Sequence, residues 1–541
     1  MTVMEIWISG NVYTQGGRKE AFVTDAGKFV YVGDNAGALR YEGCVHDLKG
    51  AFVCAGFNDS HMHLLHFGES LVSANLAACT DSLSGMLEGL RRFAETHPIQ
   101  DGKWLIGLGF NQDYFQDEKR FPNRYDLDQV STEFPVMALR ACGHMCVVNS
   151  KALEVMGLIA HSQQVEGGHF DVDENGAPTG IFWETAIELV NAALPVYTLE
   201  DVKQMLEAAC RYVNEQGITS VQSDDLMTLP GVDYEVVIQA YRELAEEGKL
   251  TVRVYEQSQL PDCQTLQEFL DRGYKTGCGD EMFQIGPLKV IGDGSLGART
   301  AYMLEPYSDA KQEHGIEVCP YEKMVSLVRL AHTHGMQAAV HAIGDGAMEN
   351  VLCTYETVLR EFPKEDHRHG VVHCQIMKKE QYERFARLGL HAYIQSVFLD
   401  YDTKIVEERT GKERAKSSYG FLDFLNQGAT VSNGSDAPVE IPDVFRGIQC
   451  AVTRQSLSGD EIAYRADQAF SVKQALDSYT AGGAYASFEE EIKGDIKAGM
   501  LADFVVLDQD PFVAEPTQLA RIKVEKTVLG GKCVYDRKLI S

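Results

Sequence analysis

Ala51-Phe52-Val53-Cys54-Ala55-Gly56-Phe57 runs directly into Asn58-Asp59-Ser60-His61-Met62-His63. The apolar part is typical of a buried strand, so the segment predicts a strand that ends in two histidines. Alternate side chains of a strand point to the same side, and we therefore expect His61 and His63 to project together. Two imidazoles at one strand end supply half of a site for zinc or a related first-row metal. A pair of hydrogen-bonded structural histidines is the alternative, because the His-x-His pattern is short.

Seven further strand-like segments follow, and helical patterns lie between most of them. The segments cover residues 218–221, 251–254, 287–290, 337–340, 370–373, 392–395 and 429–432. Strands that alternate with helices are typical of βαβ units, and eight such strands predict a (β/α)₈ TIM barrel in the α/β class. A doubly wound open sheet is the alternative fold.

The rest of the chain predicts two additional parts. Neither terminus has enough apolar residues to bury a core alone, so we expect 1–55 and 490–541 to form one composite β-sandwich. The catalytic barrel is then assigned to 56–69 and 196–489. Segment 70–195 separates the first two barrel strands and has apolar runs of its own. We interpret it as an inserted lid and substrate domain, since loops after barrel strands lie on the catalytic face.

Composition narrows the classes of partner. The chain has 541 residues and a net charge of −30, which repels nucleic acid and anionic membranes. No apolar run reaches the roughly 20 residues that span a bilayer, and the N-terminus lacks a signal-peptide pattern. The 13 cysteines show no paired spacing, which indicates free thiols and a cytoplasmic protein.

Side chains that suit metal binding recur at the ends of the predicted strands. The fourth strand carries Lys289, and the fifth, sixth and eighth lead into His341, His373 and Asp436. The active sites of barrels are built from strand C-termini, so these residues should converge with the two histidines of the first strand. Imidazoles, a carboxylate and a lysine at one end of a barrel predict a site for one or two metal ions.

Several longer motifs accompany this pattern. They are Gly143-His144, Asp293-Gly-Ser-Leu-Gly-Ala-Arg-Thr300, His341-Ala-Ile-Gly-Asp345, His373-Cys-Gln375, Gly434-Ser-Asp-Ala-Pro438 and Gly499-Met-Leu-Ala-Asp503. Together with the strand-end residues, they resemble the amidohydrolase superfamily and, within it, the amidohydrolase 3 branch that includes N-substituted formamide deformylase-like proteins. The resemblance extends from about residue 6 to residue 535.

The resemblance implies a metal ligand set. His61 and His63 would hold the more buried metal, and His341 and His373 the more exposed one. Lys289 would bridge the two after carboxylation by CO₂, since an ammonium group cannot ligate a cation. A structural salt bridge of unmodified Lys289 is the alternative. Zinc is the expected metal, although such ligands also accept iron, manganese, cobalt or nickel.

The resemblance also implies a reaction on a small molecule. A metal-activated hydroxide would cleave the C–N bond of an amide, formamide or cyclic amide, but not a peptide bond. Asp436 would act as general base and then protonate the leaving amine, and His373 is a second catalytic candidate. An isomerase or decarboxylase with the same metals, or a ligand-binding or regulatory protein, is the alternative.

Four further candidates concern the substrate pocket. His144, in the inserted segment, would donate to the substrate, although a structural histidine is the alternative. Gln395, Arg299 and Asp345 are pocket candidates because they follow predicted strands. The composite sandwich leaves much of the barrel surface free, which is compatible with a homodimer.

Overall fold

The computed structural model describes residues 3–79, 81–141, 144–165, 167–459 and 462–539. Gly143, part of one motif quoted above, lies outside the described residues. The chain divides into two compact units. The first comprises Met1–Leu64, Ala209–Leu229 and Asp233–Ser541, and the second comprises Leu65–Ala208 and Pro230–Val232.

Eight parallel strands of the described chain, which we number β1 to β8, form the barrel of the first unit. They are β1 (Phe57–Met62), β2 (Ile218–Ser223), β3 (Arg253–Gln259), β4 (Phe283–Ile291), β5 (Ala338–Ala342), β6 (Gly370–His373), β7 (His391–Ile394) and β8 (Thr430–Asn433). Their order across the sheet follows the chain, and each neighbouring pair is parallel. This order confirms the predicted barrel and differs from a doubly wound sheet, in which the strand order reverses.

Hydrogen bonds join the two edges of this sheet near their carboxyl ends. The amide of Asp436 donates to the carbonyl oxygen of His61 at 2.8 Å, and the amide of His63 donates to the carbonyl oxygen of Ala437 at 2.8 Å. The segment after β8 is therefore fixed beside the histidines of β1.

Helices follow most of the barrel strands, as the alternating sequence pattern predicts. Their bounds are Tyr234–Glu246, Cys263–Asp271, Tyr321–Thr333, Asp345–Glu361, Lys379–Arg387, Leu399–Asp402, Val406–Ala415, Phe421–Asn426, Val444–Thr453, Val472–Ser478 and Ala481–Ala486. Short 3-10 turns occur at Ser396–Phe398, Ala466–Gln468, Pro516–Arg521 and Arg537–Leu539. Several helices begin at an aspartate; for example, Asp262 accepts a hydrogen bond from the amide of Thr265 at 2.8 Å.

Both termini contribute to a β-sandwich in the same unit. One sheet contains, in order, Lys28–Gly33, Ala21–Asp25, Met4–Ile8 and Gly43–Asp47; a short helix lies at Asn35–Ala38. The other contains Asn11–Val12, Phe52–Ala55, Phe504–Leu507, Val524–Leu529 and Lys532–Asp536. Trp7, Phe22 and Phe504 pack in a common buried core. The strands from the N-terminal and C-terminal ends thus share one sandwich, as predicted.

The second unit is built on a mixed sheet of its own. In order, the strands are Gly168–Val172, Pro178–Glu184, Met145–Val148, Val136–Arg140, Leu105–Phe110 and Ala74–Asn75. Its helices are Leu83–Thr96, Arg124–Asp128, Ser150–Met156 and Ile187–Asn191, with 3-10 turns at Ala77–Cys79 and Gln112–Tyr114. Two other helices, Leu64–Leu71 and Leu199–Glu215, have residues in both units. Val136 and Met137 enter two different buried clusters, as alternation along a strand requires. The predicted insertion, 70–195, lies within the residues of this unit.

Two further features concern the whole described chain. Among its helices, none is both long and apolar enough to cross a bilayer. The 12 cysteines that the structure describes are all free thiols.

Candidate metal centre

His61, His63 and Asp436 form the centre of the site at the carboxyl end of β1. The Nε2 atoms of both histidines lie 3.3 Å from the same carboxylate oxygen, Oδ1 of Asp436. One ligand atom from each of the three residues lies within 4.8 Å of the others. His61 is buried, whereas the side chain of His63 keeps 26% of its surface exposed.

The other ring nitrogen of each histidine, Nδ1, contacts a carbonyl oxygen. His61 Nδ1 lies 2.7 Å from Oε1 of Gln257, and His63 Nδ1 lies 2.8 Å from the carbonyl oxygen of Asp224. Carbonyl oxygens only accept hydrogen bonds, so each Nδ1 carries a proton, and Nε2 is the nitrogen that can present a lone pair to a metal once any proton on it is released. Two imidazole Nε2 atoms beside one carboxylate fit a divalent metal.

Burial and charge set the ionisation of these three groups. Burial lowers the pKa of His61 to about 4. Burial also acts to lower the pKa of His63, but the hydrogen bond to Asp436 and the charge of Asp224 outweigh it and raise that pKa to about 9. Burial alone would raise the pKa of Asp436, yet the two histidines hold it well below its usual range. Asp436 is therefore an ionised carboxylate at neutral pH.

His341 and His373 lie at the ends of β5 and β6 and extend the cluster. Their ring centroids are 4.4 Å apart, and that of His373 is 5.5 Å from the ring of His61. His373 Nδ1 donates to Oε1 of Gln395 at 2.8 Å, which leaves Nε2 for a ligand. Burial lowers the pKa of His373 well below its usual value, so this ring is neutral and able to coordinate.

The position of His341 is set by the loop after β4. Its Nε2 lies 3.2 Å from the carbonyl oxygen of Gly294 and 3.2 Å from Oδ1 of Asp293. Asp293 also accepts hydrogen bonds from the amides of Ile343 and Gly344. With Nε2 held in this way, Nδ1 is the nitrogen of His341 that can face a ligand.

Lys289 is buried in β4 and directs its ammonium group at the same cluster. Its Nζ lies 3.1 Å from Oδ2 of Asp224 and 3.5 Å from Nε2 of His61. The contact with Asp224 is a buried salt bridge, the structural role that the sequence leaves open. The contact with His61 shows that Lys289 is close enough to the histidines to serve as the bridging ligand that the resemblance implies.

The four candidates for the substrate pocket have different surroundings in the structure. Gln395 contacts His373. Arg299 forms an ion pair with Asp309 at 2.7 Å, outside the histidine cluster. Asp345 begins the helix Asp345–Glu361 and is buried; burial raises its pKa, and its Oδ1 accepts from the amide of Leu304. In the second unit, His144 Nδ1 lies 2.9 Å from Oε2 of Glu184, and both side chains are exposed.

Three residues that orient the cluster were not identified as site residues from the sequence. Gln257 and Asp224 hold the histidines of β1, and Asp293 holds His341. The available signal was a polar residue at the carboxyl end of a buried strand, where ordinary packing does not require one. Glu256-Gln257-Ser258 in β3 and Asp224-Asp225 after β2 both show this signal.

Comparisons with known proteins agree on one family. A model described as "Amidohydrolase family" matches residues 45–535. A Bacillus subtilis (strain 168) protein named as the amidohydrolase YtcJ is 33% identical over 98% of this chain and 99% of its own length. The N-substituted formamide deformylase of Arthrobacter pascens is 26% identical over 98% of both chains.

A solved structure extends the agreement to the fold. An uncharacterised metal-dependent hydrolase from Pyrococcus horikoshii OT3 superposes with a TM-score of 0.79 and 29% identity. The match covers 95% of this chain and 99% of the other. The chain therefore belongs to the amidohydrolase family of metal-dependent hydrolases.

Proposed function

We propose that this protein hydrolyses an amide-like C–N bond, other than a peptide bond, in a small molecule such as an amide, a formamide or a cyclic amide. The observation that carries the proposal is the convergence of His61 and His63 on Oδ1 of Asp436, with both Nδ1 atoms held by carbonyl oxygens. The name of the A. pascens relative supports formamides among these classes.

The proposed metal ligands are the four histidines and Asp436, with Lys289 as a bridge if it is carboxylated. Zinc is the proposed metal, as one or two ions per chain, because neutral imidazole and carboxylate suit it. When bound, the metal would lower the pKa of a water molecule toward about 7 and polarise the substrate carbonyl.

Asp436 is the residue that we propose for the proton transfers. Its ionised carboxylate can accept a proton from the attacking water and return it to the leaving nitrogen, which completes hydrolysis without another acid. Its backbone amide is bonded to the carbonyl oxygen of His61, so the carboxylate has a fixed position relative to the histidines. His373, whose Nδ1 is held by Gln395, would contribute to catalysis by holding the metal through Nε2.

The free thiols of the described cysteines support the cytoplasm as the proposed location, because reducing compartments keep thiols unpaired.

Metal analysis and product analysis together test the proposal. Protein prepared without a metal-affinity tag should contain one or two zinc ions per chain and release an amine and a carboxylate in equal amounts from amides or formamides. Lys289→Ala should lose metal if Lys289 bridges two ions, whereas Lys275→Ala, an exposed position, should not. Metal-free protein that cannot be loaded, or a product formed without C–N cleavage, would exclude the proposed reaction.

A further inference from the structure

A cavity of about 290 Å³ opens among the loops that follow β4 to β8. Every described residue that lines it follows one of these five strands, so the cavity belongs to the catalytic face of the barrel. Apolar side chains form much of the wall, namely Leu296, Ile343, Phe398, Tyr401 and Val439. About 150 Å³ is enough to enclose benzene, so this cavity has room for an aryl group with a short linker.

The wall of the cavity adjoins His341 and His373. The ring of Phe398 stacks on the ring of His373, with centroids 6.1 Å apart and planes inclined by 13°. On the other side, Ser295 and Leu296 line the cavity directly after Gly294, whose carbonyl oxygen contacts His341. A molecule held here therefore lies next to the proposed metal ligands.

Gln375 is the polar side chain on this wall that calls for an explanation. It is 3% exposed, and its Oε1 is buried without a hydrogen-bond partner among the described residues. Its position follows from an unusual turn, because His373 and Cys374 both have left-handed backbone angles, with φ of 79° and 53°. Residues other than glycine adopt these angles at a cost in free energy. Residues strained in this way are found mostly at functional sites. An unpaired buried acceptor of a residue that lines a cavity is suited to a donor on a ligand, which reaches Oε1 when the side chain turns toward the cavity.

Charge limits what the cavity accepts. Among the described residues that line it, none is Lys or Arg, whereas Asp402 and Glu440 contribute carboxyl groups. An anionic ligand would lose its hydration there without gaining a cationic partner.

We propose that this cavity binds the apolar, aryl-sized N-substituent of a secondary amide, and that Oε1 of Gln375 accepts a hydrogen bond from the amide N–H of that substrate. The proposal rests on the proposed hydrolysis of a C–N bond and names the substrate class for it. The substituent on nitrogen is the one assigned to the cavity because it adjoins the N–H that Gln375 would bind. Gln375 is thus a specificity-determining residue.

Three formamides separate the elements of the proposal. N-phenethylformamide has the N–H and an aryl group, N-methyl-N-phenethylformamide lacks the N–H, and N-(2-carboxyethyl)formamide replaces the aryl group with a carboxylate. Release of formate by the metal-loaded enzyme gives kcat/KM for all three. We expect the first to exceed each of the others by about tenfold or more, since an unmet buried acceptor or anion is costly.

Two variants assign the effect to the cavity. Gln375→Leu should remove most of the preference for the N–H, whereas Gln264→Leu, on an exposed helix position, should keep it. Gly297→Leu should raise KM for the phenethyl substrate, because Gly297 lines the cavity and an added Cβ meets only Ile405 Cδ1, at 3.9 Å. Gly16→Leu, at an exposed turn of the sandwich, is its control. Equal kcat/KM for the three formamides, or an unchanged preference in Gln375→Leu, would overturn the proposal while hydrolysis itself stands.

Failure of the proposed function is recognised separately. If no formamide or acetamide is hydrolysed, saturation-transfer NMR with 2-phenylethanol tests the cavity without turnover. Binding that Gly297→Leu weakens and Gly16→Leu retains would support an aryl pocket. Binding of equal strength in both variants, or none in the wild type, would overturn it.

Discussion

Lys289 Nζ lies 3.1 Å from Oδ2 of Asp224, and both side chains are almost completely buried. The carbonyl oxygen of the same aspartate accepts the Nδ1 proton of His63. Asp224, directly after β2, therefore contacts β4 and the end of β1 at one point of the candidate metal centre, with its side chain directed to one proposed ligand and its backbone to another.

Asp224→Asn should weaken the fold through Lys289 while leaving the backbone contact to His63 intact. Loss of one partner of a buried ion pair leaves the other charge without compensation and typically costs about 3 kcal/mol or more. We expect the urea midpoint of the chelator-treated protein to fall accordingly, with an unchanged slope. Asp271→Asn is the matched control, because Asp271 is exposed on the helix Cys263–Asp271. A midpoint equal to that of the control would show that Lys289 does not depend on this carboxylate.

Asp436→Asn should separate proton transfer from metal binding. The amide keeps the shape of the carboxylate but cannot accept a proton as a general base does, so kcat should fall by about 10²- to 10⁴-fold. The histidines should retain metal, and elemental analysis of the variant checks that they do. Asp495→Asn, a position in the sandwich region that does not belong to the cluster, should keep wild-type turnover. Activity that survives in Asp436→Asn with full metal content would assign the proton transfers to another group.

Gln257→Leu should reduce metal affinity without removing a ligand. Its Oε1 fixes His61 through Nδ1, and its Nε2 donates to the carbonyl oxygen of Ser60 at 3.1 Å. Loss of such a supporting contact typically lowers metal affinity by about 10- to 100-fold. Competition with a chromogenic chelator measures the change, and Gln264→Leu is the control. An affinity equal to that of the wild type would mean that strand packing alone orients His61.

The sequence allowed the fold and the principal cluster to be predicted because both depend on local patterns. Alternation along β1 places His61 and His63 on one side, and strand–helix alternation predicts that distant strand ends meet. The supporting contacts are different in kind. Gln257 lies 196 positions from His61, and their contact depends on how the strands are aligned across the barrel, which a single sequence does not specify.

Arg299 is the opposite case, a residue that the sequence suggests for the pocket and that the structure places outside the histidine cluster. It follows a predicted strand, which makes it a pocket candidate, but the loop after β4 turns so that its guanidinium meets Asp309. The position of Phe398 on His373 similarly follows from the turn Ser396–Phe398, for which the sequence gives no distinctive signal.

The motif residue Asp503 should act on stability and not on catalysis. It accepts two hydrogen bonds from Arg253 of β3, at 2.7 and 3.0 Å, and both residues are at most 5% exposed. This contact joins the barrel to the C-terminal strand Phe504–Leu507, and it lies at the amino end of β3, away from the proposed metal ligands at the carboxyl ends. Asp503→Leu should therefore lower the free energy of unfolding by about 3–5 kcal/mol, because it leaves a buried guanidinium unpaired.

The double variant Arg253→Met/Asp503→Leu should recover most of that loss, since two apolar side chains of similar volume often replace a buried ion pair at little cost. Metal content and kcat of the folded fraction should match the wild type in both variants, and denaturant unfolding measures the two stabilities. If the double variant is as unstable as Asp503→Leu, the loss must instead come from the amide of Gly530, which donates to Asp503 at 2.7 Å. In that case Asp503→Asn, which keeps an acceptor for this amide, should be the variant that restores stability.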